Sequence, residues 1–242
     1  MGASGSAVVV GGGSGIGAAV TARHKAAGIE AVTWDIGGSG DIECDISDPE
    51  QIEAAKTETL KMIGTPAVVT ITAGIAHNGL LDYASSSEWD RVFAVNARGV
   101  WLAMRALAAP MTEAGEGSIV AISSVSATLP DSGMGIYCAS KAALDMIIRV
   151  AAREWAPAVR VNAVAPGVTD TPMLDIRIPR DGKWLGGVAG RTALFRLGSP
   201  EDIAATVIGL HSMHWVTGQV LTCDGGLSLH SPIDPPFTKP KN

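Results

Sequence analysis

The sequence predicts an α/β fold: a doubly wound parallel sheet of about seven strands, with helices on both faces. Two observations predict it. Short apolar runs rich in Val and Ile alternate along the chain with longer segments of helical periodicity, which is the pattern of βαβ units. The apolar residues are mostly Ala, Val, Ile and Leu and aromatics are scarce, a composition suited to strands buried on both faces.

The elements follow in order. A strand at Ala7–Val10 leads through glycines into a helix at Ile16–Ala27, and strands at Ala31–Trp34 and Ile42–Cys44 come next. The helix over Pro49–Ile63 opens on Asp48-Pro49, a capping residue followed by a proline that needs no N–H partner. A strand at Ala67–Thr72 precedes a helix over Glu88–Met111, whose apolar stripe is Trp89, Val92, Phe93, Val100, Met104 and Leu107. Ser118–Ile122, the helix Gly135–Trp155 and the strand Val159–Val164 follow. Ser199-Pro200 starts the helix Pro200–His211, and Val220–Cys223 is the last strand.

There is no internal repeat and no linker, so residues 1–242 read as one domain. Two segments break the rhythm. Residues 172–198 mix Pro and Gly with Met173, Leu174, Trp184 and Leu185, which suggests a mobile lid with apolar side chains. The tail, 227–242, holds Pro232, Pro235, Pro236 and Pro240 and is expected to be extended.

Hydrophobic residues make up 47% and charged residues 17%, which argues against disorder. The net charge of −6 argues against nucleic acid, whose binding needs a basic surface. No apolar run approaches the roughly 20 residues of a membrane span. The chain begins strand-forming almost at once without a signal-like segment, so the cytosol is the expected compartment. Cys44, Cys138 and Cys223 are widely spaced, and no His or Cys spacing suggests a metal site.

Gly11-Gly12-Gly13-Ser14-Gly15-Ile16-Gly17 lies between the first strand and the first helix. There, absent side chains let the backbone approach a pyrophosphate, and the helix N-terminus supplies free N–H groups. Asp35 closes the second strand eighteen residues after Gly17. Its carboxylate would accept ribose hydroxyls and repel a 2′-phosphate, or else serve as a turn aspartate before Gly37-Gly38, and no Arg or Lys lies between Lys25 and Lys56. NAD is therefore expected rather than NADP. Asp45, with Ile46 beside it, follows the third strand; it either meets the adenine or caps the helix after Pro49.

Tyr137 and Lys141 stand at i and i+4 near the start of one helix, so both side chains leave from the same face. A free phenol has a pKa near about 10, and a neighbouring ammonium favours the phenolate. Tyr137 could then take a proton from an alcohol as hydride leaves its carbon. Ser124, thirteen residues upstream, emerges at the carboxyl edge of the sheet, where it can orient the substrate oxygen. Asn96 falls on the apolar stripe of its helix, and a buried amide there must find partners.

These residues resemble the short-chain dehydrogenase/reductase family over essentially the whole chain. Gly11-x-x-x-Gly15-Ile16-Gly17 is similar to its cofactor turn, with Val10 where the family usually has Thr. Thr72-Ala73-Gly74 resembles its Asn-Ala-Gly segment, with Thr72 in place of the asparagine. Asn96, Ser124, Tyr137 and Lys141 match its tetrad, and Asn162 through Val168, Thr169 and Thr171 resembles the segment that holds the nicotinamide carboxamide.

The resemblance implies a Rossmann-type fold and a homotetramer, with Asn96 holding a water that links Lys141 to solvent. The Tyr-to-Lys spacing is shorter than in the related enoyl reductases and favours carbonyl or alcohol chemistry. The leading expectation is an NAD-dependent dehydrogenase of a hydrophobic cyclic or aryl secondary alcohol. A 3-oxoacyl-thioester reductase is the alternative, which Arg177, Arg180 and Lys183 leave open, and a cofactor-binding scaffold without turnover is a third reading. His77 is a minor candidate for substrate contact, and Cys138 is expected to face helix packing.

Overall fold

A computed structural model describes residues 5–177 and 182–229. Seven strands, β1 (Ser6–Val10), β2 (Glu30–Asp35), β3 (Ile42–Glu43), β4 (Val68–Ile71), β5 (Gly117–Ile122), β6 (Val159–Pro166) and β7 (Val220–Cys223), form one sheet. Their order is β3-β2-β1-β4-β5-β6-β7, every pairing is parallel, and the expected fold class is borne out. Because all strands point the same way, all their carboxyl ends lie on one edge.

Alternation along the strands sorts the core into two layers. Val8, Val10, Ile119 and Ala121 face helices α2 (Pro49–Ile63), α4 (Val100–Ala114) and α5 (Gly135–Glu154). Val9, Val120, Ile122 and Val164 face α1 (Gly15–Ala26) and α8 (Pro200–Ser212). The expected proline starts hold: Asp48 accepts the N–H groups of Glu50 and Gln51 at α2, and Ser199 forms a capping box with Asp202 at α8. Asp48, not Asp45, is thus the α2 cap, which removes that reading of Asp45.

The helix expected over Glu88–Met111 differs in three ways. It begins two residues earlier as α3 (Ser86–Phe93), because Ser85 and Glu88 make a capping box. It widens into a π-helical segment, Ala94–Gly99, before continuing as α4. The continuous stretch Ser86–Ala114 is also long and apolar enough to cross a membrane, contrary to the sequence expectation. Charged Asp90, Arg91, Arg98 and Arg105 break the run in sequence, but the helix continues through them. In the fold 61% of its most apolar window is buried against the rest of the chain, as befits a core helix.

The segment expected to be a lid includes two helices, α6 (Pro172–Arg177) and α7 (Gly182–Arg191). Leu174 and Val188 are buried there, whereas Trp184 is half-buried. The proline-rich tail beyond Leu229 and Arg180 lie outside the described residues.

Two histidines lie where α1 packs on α8. His211 is buried, its Nε2 3.0 Å from Thr70 Oγ and its Nδ1 2.9 Å from Ser118 Oγ. The His24 ring is 6.3 Å away, and neither of its nitrogens is hydrogen-bonded. Burial pushes the His211 imidazole down to about 3, with the nearby His24 adding to the effect, and burial lowers His24 as well. The unfolded chain takes up these protons near pH 6.5, while the folded chain resists them until well below. Stability is therefore full above about 6.5 and is lost as pH falls from there toward 3. The thermal midpoint should decline through this window, and His211→Gln should flatten the decline; an equal slope in both proteins would contradict it.

Candidate dinucleotide and substrate site

The parallel sheet delivers the sequence-predicted residues to one edge. Gly11 follows β1, Asp35 ends β2, Asp45 and Ile46 follow β3, Thr72-Ala73-Gly74 follows β4, Ser124 follows β5, and Val168 and Thr169 follow β6.

The glycine turn is held by close contact. A Cβ on Gly17 would sit 1.9 Å from the Gly11 carbonyl oxygen, and one on Gly11 would sit 2.6 Å from the Ala73 nitrogen. Thr72, standing where the resemblance puts an asparagine, donates its hydroxyl to Gly11 O at 2.8 Å and to Val10 O at 3.0 Å. It braces the turn with a shorter side chain. Ser14 is the N-cap of α1 but makes no side-chain cap bond, and the first turn of α1 carries no acidic residue. Helix α1 thus presents an unneutralised positive end, as an incoming phosphate requires. Thr171 lies over the same turn, its Cβ 3.5 Å from the place of a Gly15 side chain.

At the adenosine end, Asp35 Oδ2 accepts the Gly13 N–H at 2.6 Å and Oδ1 accepts the Ile36 N–H at 2.8 Å. The aspartate is therefore both a turn residue and a wall of the glycine loop. Beside it lies a shallow hollow of about 390 Å³ lined by Gly12, Gly13, Thr33, Lys25 and Asp41. Sequence spacing left Lys25 out of account, yet the fold brings it there. Asp41 faces it and accepts from Thr33, whose hydroxyl holds that carboxyl below its ordinary range. Asp45 accepts the Ser47 N–H at 2.8 Å, and Ile46 is buried with its carbonyl against Gly99.

At the chemical end, Asn96 is fully buried in the π segment. Its Oδ1 accepts the Ile75 N–H at 2.8 Å, and its Nδ2 donates to Ile75 O at 2.9 Å and Ser140 Oγ at 3.1 Å. Ser140 in turn donates to the Tyr137 carbonyl at 2.7 Å. Lys141 is buried, donates to Ile122 O at 2.9 Å, and holds its Nζ 5.8 Å from the Tyr137 ring centroid. Gly74 closes the group, since a Cβ there would lie 3.3 Å from Asn96 Oδ1 and 3.5 Å from Lys141 Nζ. Ser124, half-buried, accepts the Ser126 N–H at 3.1 Å. His77 is buried near Glu88, with Nε2 3.6 Å from Oε1, and Cys138 is half-buried with its thiol toward Leu129 O.

Sequence reading missed Ser123 and Asp145. Asp145 lies one turn beyond Lys141 on α5, is buried, and accepts the Ser123 hydroxyl at 2.5 Å. Burial raises its carboxyl above the ordinary range, while Ser123, Arg149 and Lys141 counter this. Lys141 and Asp145 thus pin two turns of α5 to the consecutive residues Ile122 and Ser123. A carboxylate four residues after Lys141 on a helix with apolar neighbours was the available signal.

The chain is similar to known proteins over most of its length. A family model described as enoyl-(acyl carrier protein) reductase matches residues 11–228. The 2,5-dichloro-2,5-cyclohexadiene-1,4-diol dehydrogenase LinX of Sphingobium indicum is 31% identical over 92% of this chain and 96% of its own length. The 3-oxoacyl-[acyl-carrier-protein] reductase FabG of Thermotoga maritima is 32% identical over 91% of this chain and 96% of its own. The ligand-free structure of Thermoplasma acidophilum aldohexose dehydrogenase superposes with a TM-score of 0.90 at 30% identity, covering 96% of this chain and 98% of that one.

Removing the Asp145 carboxylate should leave the Ser123 hydroxyl buried without its acceptor, at a cost of about 1–3 kcal/mol. Asp145→Ala should shift the urea midpoint accordingly and Asp145→Asn should recover most of it. A wild-type midpoint in Asp145→Ala would show that the bond contributes nothing.

Proposed function

The chain belongs to the short-chain dehydrogenase/reductase family, whose members are nicotinamide-dependent oxidoreductases, and from that premise we propose that it is an NAD-dependent secondary-alcohol dehydrogenase. One observation carries the reading: Asn96, Ser140 and the Tyr137 carbonyl share a buried hydrogen-bond network, with the buried Lys141 ammonium 5.8 Å from the Tyr137 ring, beside a glycine turn that has no room for side chains.

The residues fit a dinucleotide. Gly11, Ser14, Gly15, Ile16 and Gly17 would take its pyrophosphate, Asp35 the adenosine ribose, and Asp45 with Ile46 the adenine. Thr72, Ala73 and Gly74 would flank the nicotinamide side, with Val168, Thr169 and Thr171 on its carboxamide. Bound NAD supplies the hydride acceptor. Tyr137 takes the proton of the alcohol, and the Lys141 ammonium stabilises the phenolate. Ser124 orients the oxygen. Both amide protons of Asn96 are committed, so its contribution to a proton relay is to fix the π turn and present main-chain carbonyls to a water.

The segment 172–198, of which residues 172–177 and 182–198 are described, is read as the lid of this site, and the apolar Leu174 and Val188 on it support an apolar substrate. The cyclic diol named for the Sphingobium relative supports a hydrophobic cyclic alcohol. Asp35 supports NAD, and with it alcohol oxidation as the working direction. Trp101, Met146 and Val150 expose apolar surface on α4 and α5, which supports assembly into a homotetramer through these helices. The name of the Thermotoga relative supports the second reading, a 3-oxoacyl-thioester reductase.

Purified protein at mildly alkaline pH should form NADH from cyclic or aryl secondary alcohols and far less NADPH. Faster turnover of 3-oxoacyl thioesters than of simple ketones would favour the second reading, and no turnover of either would overturn both.

A further inference from the structure

Ile36, Gly37 and Gly38 present three successive backbone N–H groups beyond the end of β2. Gly37 and Gly38 have φ of +66° and +73°, a pair of left-handed residues that only glycine adopts readily, and nothing stands within 4 Å of where their side chains would be. Consecutive donors in such a turn make a concavity for an anion. Here the chain fills it from within. Glu43 Oε1 accepts the Gly37 N–H at 3.1 Å, Glu43 Oε2 accepts the Gly38 N–H at 3.0 Å, and Asp35 Oδ1 takes the Ile36 N–H. Asp35 and Glu43 are register partners in the β2–β3 ladder, so the two carboxylates stand side by side.

The turn also abuts the glycine loop. A Cβ on Gly13 would lie 2.7 Å from Ser39 Cβ and 2.8 Å from Asp35 Oδ2. An anion bonded to these donors would therefore sit next to the carboxylate expected to hold the adenosine ribose. We propose that Glu43 is a cofactor-specificity residue: its carboxylate occupies the N–H groups that would otherwise take a 2′-phosphate. The inference rests on the NAD reading and deepens it.

Asp35 alone repels a 2′-phosphate by charge. Glu43 adds to that charge and takes the Gly37 and Gly38 donors, so the phosphate meets a second carboxylate where those two N–H groups would have held it. Lys25, across the hollow, is the nearby cation and is faced by Asp41. Glu43 is exposed, so its departure leaves no buried group unsatisfied and the freed donors open to solvent.

The test compares kcat/KM with NADP and with NAD for the wild type, Glu43→Gln and Glu43→Ala, together with direct binding of adenosine 2′,5′-bisphosphate and of 5′-AMP by titration calorimetry. Glu43→Ala should raise the NADP-to-NAD ratio about tenfold, equivalent to about 1.4 kcal/mol. It should tighten binding of the bisphosphate relative to 5′-AMP by a similar factor. Glu43→Gln should fall between, because its amide keeps one acceptor in the turn but no charge. Unchanged ratios and unchanged relative affinity in both variants, with a wild type that prefers NAD, would overturn the role of Glu43 and leave the NAD reading standing. A wild type that prefers NADP would overturn the NAD reading itself.

Discussion

The contact between Gly17 and the Gly11 carbonyl is the constraint on which the rest of this structure depends. No side chain fits between them, so α1 starts directly against the end of β1. That approach aims the helix N-terminus along the carboxyl edge, and the parallel sheet gathers every other site residue to the same edge. Thr72 fixes the turn to β4 by a hydroxyl, so the central strands keep their brace although the side chain differs from the family pattern.

A second set of bonds fixes the chemical end. Asn96 joins the π segment to Ile75 and to α5, while Lys141 and Asp145 join α5 to the end of β5. These groups are buried, where a hydrogen bond is stronger than in water and an unpaired group is costly. Loss of one partner would loosen several elements at once. The backbone that carries Tyr137 is thus set by bonds that tie α5 to the π segment and to the end of β5.

The strands and the starts of α2 and α8 were legible in the sequence because alternation and capping are local patterns. Asn96 was legible as a polar residue on an apolar stripe. The π turn around it was not, because one widened turn barely disturbs helical periodicity. The capping box of Ser85 and Glu88 is a local pattern too, readable in the sequence. Helices α6 and α7 were hidden by the prolines and glycines around them. Lys25 and Asp145 acquire meaning only once folding sets them against Asp41 and Ser123. Glu43 acts on backbone N–H groups, which a reading of side chains cannot register.

The central claim is that Tyr137 moves the proton beside a bound nicotinamide. Tyr137→Phe tests it most directly, with NADH binding followed by fluorescence titration and turnover of the best alcohol measured in parallel. The account predicts retained NADH binding with turnover reduced by about 10²–10⁴-fold, the usual worth of a general acid or base. Wild-type turnover by Tyr137→Phe, or no NADH binding by the wild type, would contradict it.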